Sequence, residues 1–286
     1  MKLSLFFTLL LGSLSCVTIG RAETEPVISL RAMTFNLRYA SDQPPNAWPD
    51  RRPIMQEVIT AAAPDLIGTQ EGVYRQIQDI DTDLPDYDWI GLGRKGGSND
   101  EYCAIFYRRD RFKPMAYDHF WLSDTPATVG SMTWGNLWVR MVTWVRFRDM
   151  ATAREFIVLN THFDHQIEEA RQKSATLIVQ RIADFDSSLP LIVLGDFNCA
   201  AGNSPAFDLL TTTTGLVDTW SAATDRPASP APNTFHGYQA PVLDGERIDW
   251  ILTRGMREIL STTIITASNG GQFPSDHFPV VADLTF

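Results

Sequence analysis

Cysteine is scarce: the 286-residue chain has three, and one of them, Cys16, lies in an apolar stretch near the start. The other two, Cys103 and Cys199, are too few for a disulfide framework. Cys103, in YCAIFYR, reads as a small buried hydrophobe. Positive charge is also in short supply. Lys and Arg total 24 against 34 Asp and Glu, a formal charge of −10, and there is no basic run. Such a field repels long polyanions, which argues against a processive binder of duplex DNA. The H-E-x-x-H spacing of zinc hydrolases is missing. No repeat or low-complexity tract occurs, and beyond Ala22 no apolar stretch approaches the ~20 residues that a membrane span needs.

The chain opens with MKLSLFFTLLLGSLSCVTIG, one Lys before an apolar run that gives way to small residues and Gly20-Arg21-Ala22. That layout predicts a secretory signal peptide over 1–22, cut after Ala22. A membrane anchor is the alternative, but the apolar run is short for one, and Leu14-Ser15 is a poor context for lipid attachment at Cys16. The expected product is exported, periplasmic or extracellular, with one domain over 23–286 and a monomeric state. Losing Lys2 and Arg21 takes the charge from −10 to −12. Hydrophobic residues make up 44% of the sequence, enough to bury a sizeable core and to exclude disorder.

Segments rich in β-branched and aromatic residues recur at 31–37, 65–69, 102–108, 139–148, 155–163, 190–197, 247–253 and 278–286. The stretch from Val139 alternates, with Met141, Thr143, Val145 and Phe147 on one face, as a half-buried strand does. Leu191–Leu194 is uniformly apolar, as in a strand covered on both sides. Helices are predicted over 54–63, with Pro53 in the first turn, over 167–185, and after Ser204-Pro205. The Pro-containing stretch 225–240 reads as a long surface loop. Strands and helices mix without strict alternation, so a mixed-sheet α/β sandwich is expected, not a parallel barrel or a Rossmann sheet.

Polar residues gather where these strands end: Asn36, Glu71, Asn160 with His162, Asp196 with Asn198, Asp249, and Asp276-His277. Strand ends are where α/β folds commonly build active sites. Taken singly, each has an ordinary account as a cap, an Asx-turn or a surface carboxylate. Six such ends together make coincidence a poor explanation.

The motifs MTFNLR, GTQE, NTHFDH, GDFN, RIDWI and SDHFPV, in this order, resemble those of the endonuclease/exonuclease/phosphatase superfamily of metal-dependent phosphoesterases. The resemblance runs from about Arg31 to Phe286 and is closest to exported bacterial members. It implies a four-layer α/β sandwich, two mixed sheets face to face with helices outside, and a phosphate-ester substrate, whether nucleic acid, lipid or small molecule. It further implies that Glu71 holds Mg²⁺ or Mn²⁺, hard cations that prefer oxygen ligands. Asn36 and Asp276 would lie on the metal side. Asp196 would orient or deprotonate the attacking water. Asn198 would steady a phosphate oxygen, His277 would sit beside the scissile phosphate with Asp249 fixing its tautomer, and His162 would contact the phosphate or leaving oxygen. A non-catalytic binding protein on the same scaffold is the alternative. It would be favoured had Asp196, Asn198 or His277 been missing.

One position departs from the superfamily pattern. Many members carry a second acidic residue two places after the Asn, and here that place is Arg38. Either the metal site has fewer carboxylates, or Arg38 contacts a substrate phosphate, which its guanidinium fork suits. A structural salt bridge is an equal alternative. His236 and His165 are further candidates for lining the site, with Asp164 or His165 orienting a neighbour. Arg171 is read as a salt-bridge partner, and Trp48, Trp134 and Trp138 as packing or loop anchors.

Overall fold

The computed structural model describes residues 27–225 and 229–286. The predicted signal peptide, with Cys16, lies outside the described residues. Two six-stranded sheets stack face to face. The first contains β1 (Ser29–Asn36), β2 (Leu66–Val73), β3 (Tyr87–Ile90), β4 (Glu101–Arg108), β11 (Glu258–Ile264) and β12 (Val280–Thr285), in the order β11-β12-β1-β2-β4-β3. The second contains β5 (Phe112–Trp121), β6 (Met141–Asp149), β7 (Glu155–His162), β8 (Leu191–Asp196), β9 (Val217–Asp218) and β10 (Asp249–Arg254), in the order β5-β6-β7-β8-β10-β9. Each sheet is mixed: β1 runs parallel to β2 and β7 parallel to β8, and the other pairings are antiparallel. Helices α1 (Trp48–Ala62) and α2 (Tyr74–Asp83) pack on the first sheet, and α3 (Glu168–Ala183) and α4 (Pro205–Thr214) on the second. A short α5 (Thr219–Ala222) follows β9. The four-layer α/β sandwich expected from the sequence is the observed fold.

The strand period of two explains where the site must form. In β1, Leu30 and Ala32 face the opposite sheet, while Met33 and Phe35 face α1. In β7 the inward residues are Phe156 and Val158; in β8, Ile192 and Leu194; in β10, Ile251. Their neighbours Ile157, Leu159, Leu191, Val193, Trp250 and Leu252 pack outward under α3 and α4. Continuing the inward parity by two or four residues gives Asn36, Asn160, His162, Asp196 and Asp249. The same face that builds the apolar core therefore turns polar at one end of the sandwich.

Glu71 breaks this rule. Gln70 shares the inward parity of Leu66 and Gly68, so Glu71 should point outward. Instead, the pairing of β2 with β4 shifts between Thr69 and Gly72, and Glu71 has φ 62°. Such a bulge re-aims a side chain at the cost of backbone strain. Asn160 supports it from the other sheet: its amide nitrogen donates to the carbonyls of Thr69 and Ala104, at 2.8 Å each, where the ladder opens. Gln70 Nε2 donates back to Asn160 Oδ1 at 2.7 Å. Gly68 leaves room for this contact, since a Cβ there would come within 1.9 Å of Leu194 Cδ1 and 3.0 Å of the Asn160 amide.

Several local expectations need correction. Helix α1 begins at Trp48, not at Ile54, so Pro49 lies at its start and Pro53 inside it. Tertiary contacts hold the added first turn: Trp48 is buried with its indole N–H on Asp79, and Arg51 is fully buried. Helix α2 and strands β3, β5, β9 and β11 were not anticipated. Edge strand β5 carries Lys113, Pro114 and Asp118, and its register shifts next to Pro114, which disguises it. The stretch predicted as a surface loop at 225–240 is anchored in its second half. Thr234 is fully buried and its hydroxyl accepts from the Ile248 and Asp249 amides, while Phe235 bridges to His277. Cys103 and Cys199 are free and buried, and burial pushes their thiols up to about 12 and about 11. Among the described residues no helix is long and apolar enough to cross a membrane.

Asn160→Leu should cost about 3 kcal/mol in urea unfolding, because it strands two buried carbonyls and the Gln70 amide. An unchanged transition midpoint would refute the bracing role.

Candidate active site

A cleft of about 640 Å³ opens at the polar end of the sandwich, lined by both sheets and the loops beyond them. Asn36 is its hub. The side-chain nitrogen donates to Asp196 Oδ2 at 2.9 Å and to Glu71 Oε1 at 3.1 Å, and lies 3.4 Å from His277 Nε2. Its Oδ1 accepts from the Arg38 amide at 2.9 Å, which fixes the orientation of the side chain. The second Glu71 oxygen accepts from the Tyr39 amide at 3.2 Å.

The loop after β1 is held by an unusual device. Arg51, fully buried in α1, bonds only carbonyls: Asn46, Leu37, Pro274, Arg38 and Tyr39. It thus joins the turn carrying Asn36, Arg38 and Tyr39 to the segment preceding Asp276. Ser275 adds a second tie, its hydroxyl donating to the Asn36 carbonyl at 2.6 Å. Arg38 and Asn198, like Glu71, have positive φ, 52° and 51°. With Asp100 at φ 71°, four strained non-glycine residues line one cleft and mark a place where geometry outweighs local stability.

His277, just ahead of β12, reaches across to the second sheet: its Nδ1 lies 2.9 Å from Asp249 Oδ2, with its Nε2 directed at Asp196 Oδ2, 3.7 Å away. Burial works against the imidazolium, but Asp249 and Asp196 outweigh it and raise His277 to about 10. His277 is therefore charged at neutral pH. Asp196 is also pushed up, to about 7, by burial and the like charge of Asp249. Its other oxygen accepts from the Asn198 amide at 2.9 Å, and His162 Nε2 is 3.4 Å from its Oδ2. Burial, followed by the charges of Arg140 and Arg94, holds His162 well below the usual range, so it is neutral.

The opposite wall is acidic. Burial works to raise Glu71, yet His277, Asn36, Arg38 and the Tyr39 amide together lower it, so it is ionised. Asp276 is raised by burial, and further by Glu71, with His277 and Arg38 opposing. Two oxygen donors that repel each other suit a hard divalent cation, so these residues fit the metal that the resemblance implies. Asp196, Asp249 and His277 also bring ligand atoms within 4.8 Å of one another. There the imidazole is already bonded to Asp249, and we read that trio as a buried ion pair. Arg38 lies between the two acidic groups, Nη1 3.8 Å from Glu71 and Nε 3.6 Å from Asp276, too far to hydrogen-bond either.

Of the residues singled out from sequence, Asn36, Glu71, His162, Asp196, Asn198, Asp249, Asp276 and His277 meet around this network, and Arg38 and His165 line the cleft. His236 does not. It is buried, stacked on Phe278 at 3.8 Å with Nδ1 toward the Gln239 carbonyl, and its neighbour Phe235 lines the cleft instead. Asp164 binds the amides of Gln166 and Ile167 ahead of α3, and Arg171 pairs with Glu168. Trp48 is buried, while Trp138 is an exposed lining residue. Sequence reasoning passed over Arg51, Gln70, Arg94, Glu101, Arg140 and Ser275. Gln70 and Ser275 sit inside the GTQE and SDHFPV motifs but beside more conspicuous acidic and histidine neighbours, and the other four lie in no motif.

Burial, with a smaller push from His277, lowers His236 to about 4. Unfolded, it titrates near 6.5, so the unfolded state binds the extra proton first. This contribution to stability is complete above about pH 6.5 and is lost as the pH falls toward 4. His236→Gln should flatten the slope of urea stability between pH 7 and 5; identical slopes would show that His236 protonates freely in the fold.

Comparison with known proteins agrees with this geometry. The chain is 36% identical to an endonuclease/exonuclease/phosphatase from Bacteroides vulgatus, with a TM-score of 0.84 over 90% of this chain and 98% of that one. A mannosyl-6-phosphatase from Bacteroides thetaiotaomicron is 31% identical, with a TM-score of 0.83 over 90% and 100%. An uncharacterised protein of Acanthamoeba polyphaga mimivirus is 29% identical over 161 residues, 53% of this chain; the chain spans only 59% of that relative's length. The profile of the endonuclease/exonuclease/phosphatase family matches residues 33–277, from the strand carrying Asn36 to His277 itself. The chain belongs to the endonuclease/exonuclease/phosphatase family.

Proposed function

We propose that the protein hydrolyses phosphate esters with the help of Mg²⁺ or Mn²⁺. The observation that carries this reading is the meeting of Asn36 and Glu71, from one sheet, with Asp196 and the Asp249–His277 pair in a single buried network. Glu71 and Asp276, with Asn36 beside them, would hold the cation. Bound there, it would polarise a phosphoryl oxygen and stabilise the leaving alkoxide.

The chain's own groups supply the rest. Asp196, raised to about 7, has the proton affinity a general base needs near neutral pH. The Asn36 amide keeps one of its oxygens in place, and the Asn198 backbone keeps the other. The His277 imidazolium faces the phosphate and stabilises negative charge as it develops, with Asp249 setting its ring orientation. Asn198, whose side-chain nitrogen donates to the Phe163 carbonyl at 3.0 Å, presents an uncharged amide to a phosphate oxygen. His162, neutral and beside Asp196, serves the leaving oxygen. Arg38 keeps its donors unspent and is assigned to a substrate phosphate. The net negative charge and the likeness to a mannosyl-6-phosphatase both support a compact ester over a long polyanion. Export, on the strength of residues 1–22, and a monomeric state belong to the same reading.

Purified protein should hydrolyse p-nitrophenyl phosphate, bis-(p-nitrophenyl) phosphate or a natural phosphate ester. Activity should vanish in EDTA and return with Mg²⁺ or Mn²⁺. Asp196→Asn should lower kcat by about 10²–10⁴-fold while the circular dichroism spectrum is retained. Folded wild-type protein that binds phosphate esters but turns none over would favour the non-catalytic alternative. Arg38→Ala should raise KM by about tenfold, the loss of one charge-assisted hydrogen bond. Unchanged KM and kcat on every active substrate would return Arg38 to a purely structural role.

A further inference from the structure

Arg140 is the most conspicuous group that the reading above leaves without a task. It immediately precedes β6, lines the cleft and is only 5% exposed. Two of its three guanidinium nitrogens, Nε and Nη1, have no hydrogen-bond acceptor. The nearest carboxylate, Asp164, stands 3.9 Å from Nε, beyond hydrogen-bonding range. Neighbouring Arg94, by contrast, is closely paired with Asp100 at 2.8 Å and Glu101 at 2.7 Å. A buried guanidinium with unmet donors is costly, and an arriving oxyanion would satisfy it.

The third nitrogen settles the chemistry of His165. Arg140 Nη2 lies 3.1 Å from His165 Nδ1. A guanidinium can only donate, so Nδ1 is the acceptor and the proton of the neutral ring sits on Nε2. His165 also lines the cleft, and among the described residues its ring has its one hydrogen bond at Nδ1. Arg140 thus presents its own remaining donors and fixes a second donor beside them. Both are neighbours of the proposed reacting groups, since β6, β7 and β8 are adjacent and carry Arg140, His162 and Asp196 at the same end.

A separate small cavity of about 10 Å³ adjoins Arg140 and is lined also by Glu71, His162, Cys103 and Met141. Cys103, Val139 and Met141 pack with Trp121 as a small apolar cluster beside it. A cavity of that size has no room for a further substituent. The exposed rings of Tyr39, Trp138 and Phe235 also line the cleft and offer faces for the organic part of a substrate.

We propose that Arg140 and His165 form a subsite for a terminal phosphate, so that the protein acts on esters bearing a phosphate with no substituent beyond it. The inference rests on the phosphoesterase reading for turnover, but not for binding. The terminal phosphate is either the scissile group of a monoester or a second phosphate on the same molecule.

Calorimetric titration with inorganic phosphate tests binding by itself. Wild type should bind it, Arg140→Ala should weaken binding by about 30-fold, as for a lost charge-assisted hydrogen bond, and Arg140→Lys should recover part of the loss. In kinetics, the ratio of kcat/KM for p-nitrophenyl phosphate over bis-(p-nitrophenyl) phosphate should fall similarly in Arg140→Ala and His165→Phe, if the scissile phosphate is the one held. If a second phosphate is held, the fall should appear instead between nucleotide p-nitrophenyl esters with and without an extra terminal phosphate. Melting temperatures identify any variant that has merely unfolded, and Arg140→Lys then carries the test. Phosphate binding equal in wild type and both Arg140 variants, with neither ratio altered, overturns the subsite. Loss of phosphate binding in Arg140→Ala with no turnover by wild type would sustain the subsite and remove the hydrolase.

Discussion

The bond network of Asn160 holds the two sheets together where they must agree. It is a residue of β7, yet it satisfies two carbonyls of the opposite sheet at the point where a bulge interrupts β2. Without that bulge Glu71 would follow strand parity and point outward. With it, Glu71 turns into the cleft and meets Asn36 and, through Asn36, Asp196. Neither sheet contains a site alone. One supplies Asn36 and Glu71, the other His162, Asp196 and Asp249, and the groups interact only because face-to-face packing brings both polar ends to the same level.

Electrostatics then divides the cleft into zones. Glu71 and Asp276 make one wall acidic. His277 carries a positive charge in the middle, balanced by Asp249 and Asp196. Arg94 and Arg140 set positive charge beside Glu71 and Glu101, although Arg94 is largely neutralised by its partners. A protein with a net charge of −10 can in this way offer a local field that welcomes an anion, because dense packing fixes charges that solvent would otherwise average away.

The fold was legible in sequence wherever a strand alternated cleanly or lay fully buried, as at β1, β4, β6, β7, β8 and β10. It was obscured at the margins. Edge strand β5 carries proline and charge, and α1 extends back to Trp48 because buried contacts of Trp48 and Arg51 outweigh weak local signals. Most of the cleft was legible because its residues end strands in recognisable motifs. His236 misled because a histidine in a Pro- and Gly-containing segment looks exposed, whereas tertiary packing stacks it on Phe278. Arg51 and Arg140 were invisible for the converse reason. A lone arginine in a helix or before a strand resembles surface charge, and only the folded structure shows that one is spent on five carbonyls and the other on almost nothing.

The position of β12 has a consequence for how such a molecule comes into being. Strand β1 pairs with β2 on one side and with β12 on the other, and His277 lies just ahead of β12. During synthesis β1 emerges early and must wait, one edge bare, until nearly all the described chain has followed. The imidazole arrives with the same segment that closes that edge. Completion of the sheet and arrival of His277 in the cleft therefore go together, and a partly made chain lacks that imidazole and has an edge open to pairing with a stranger.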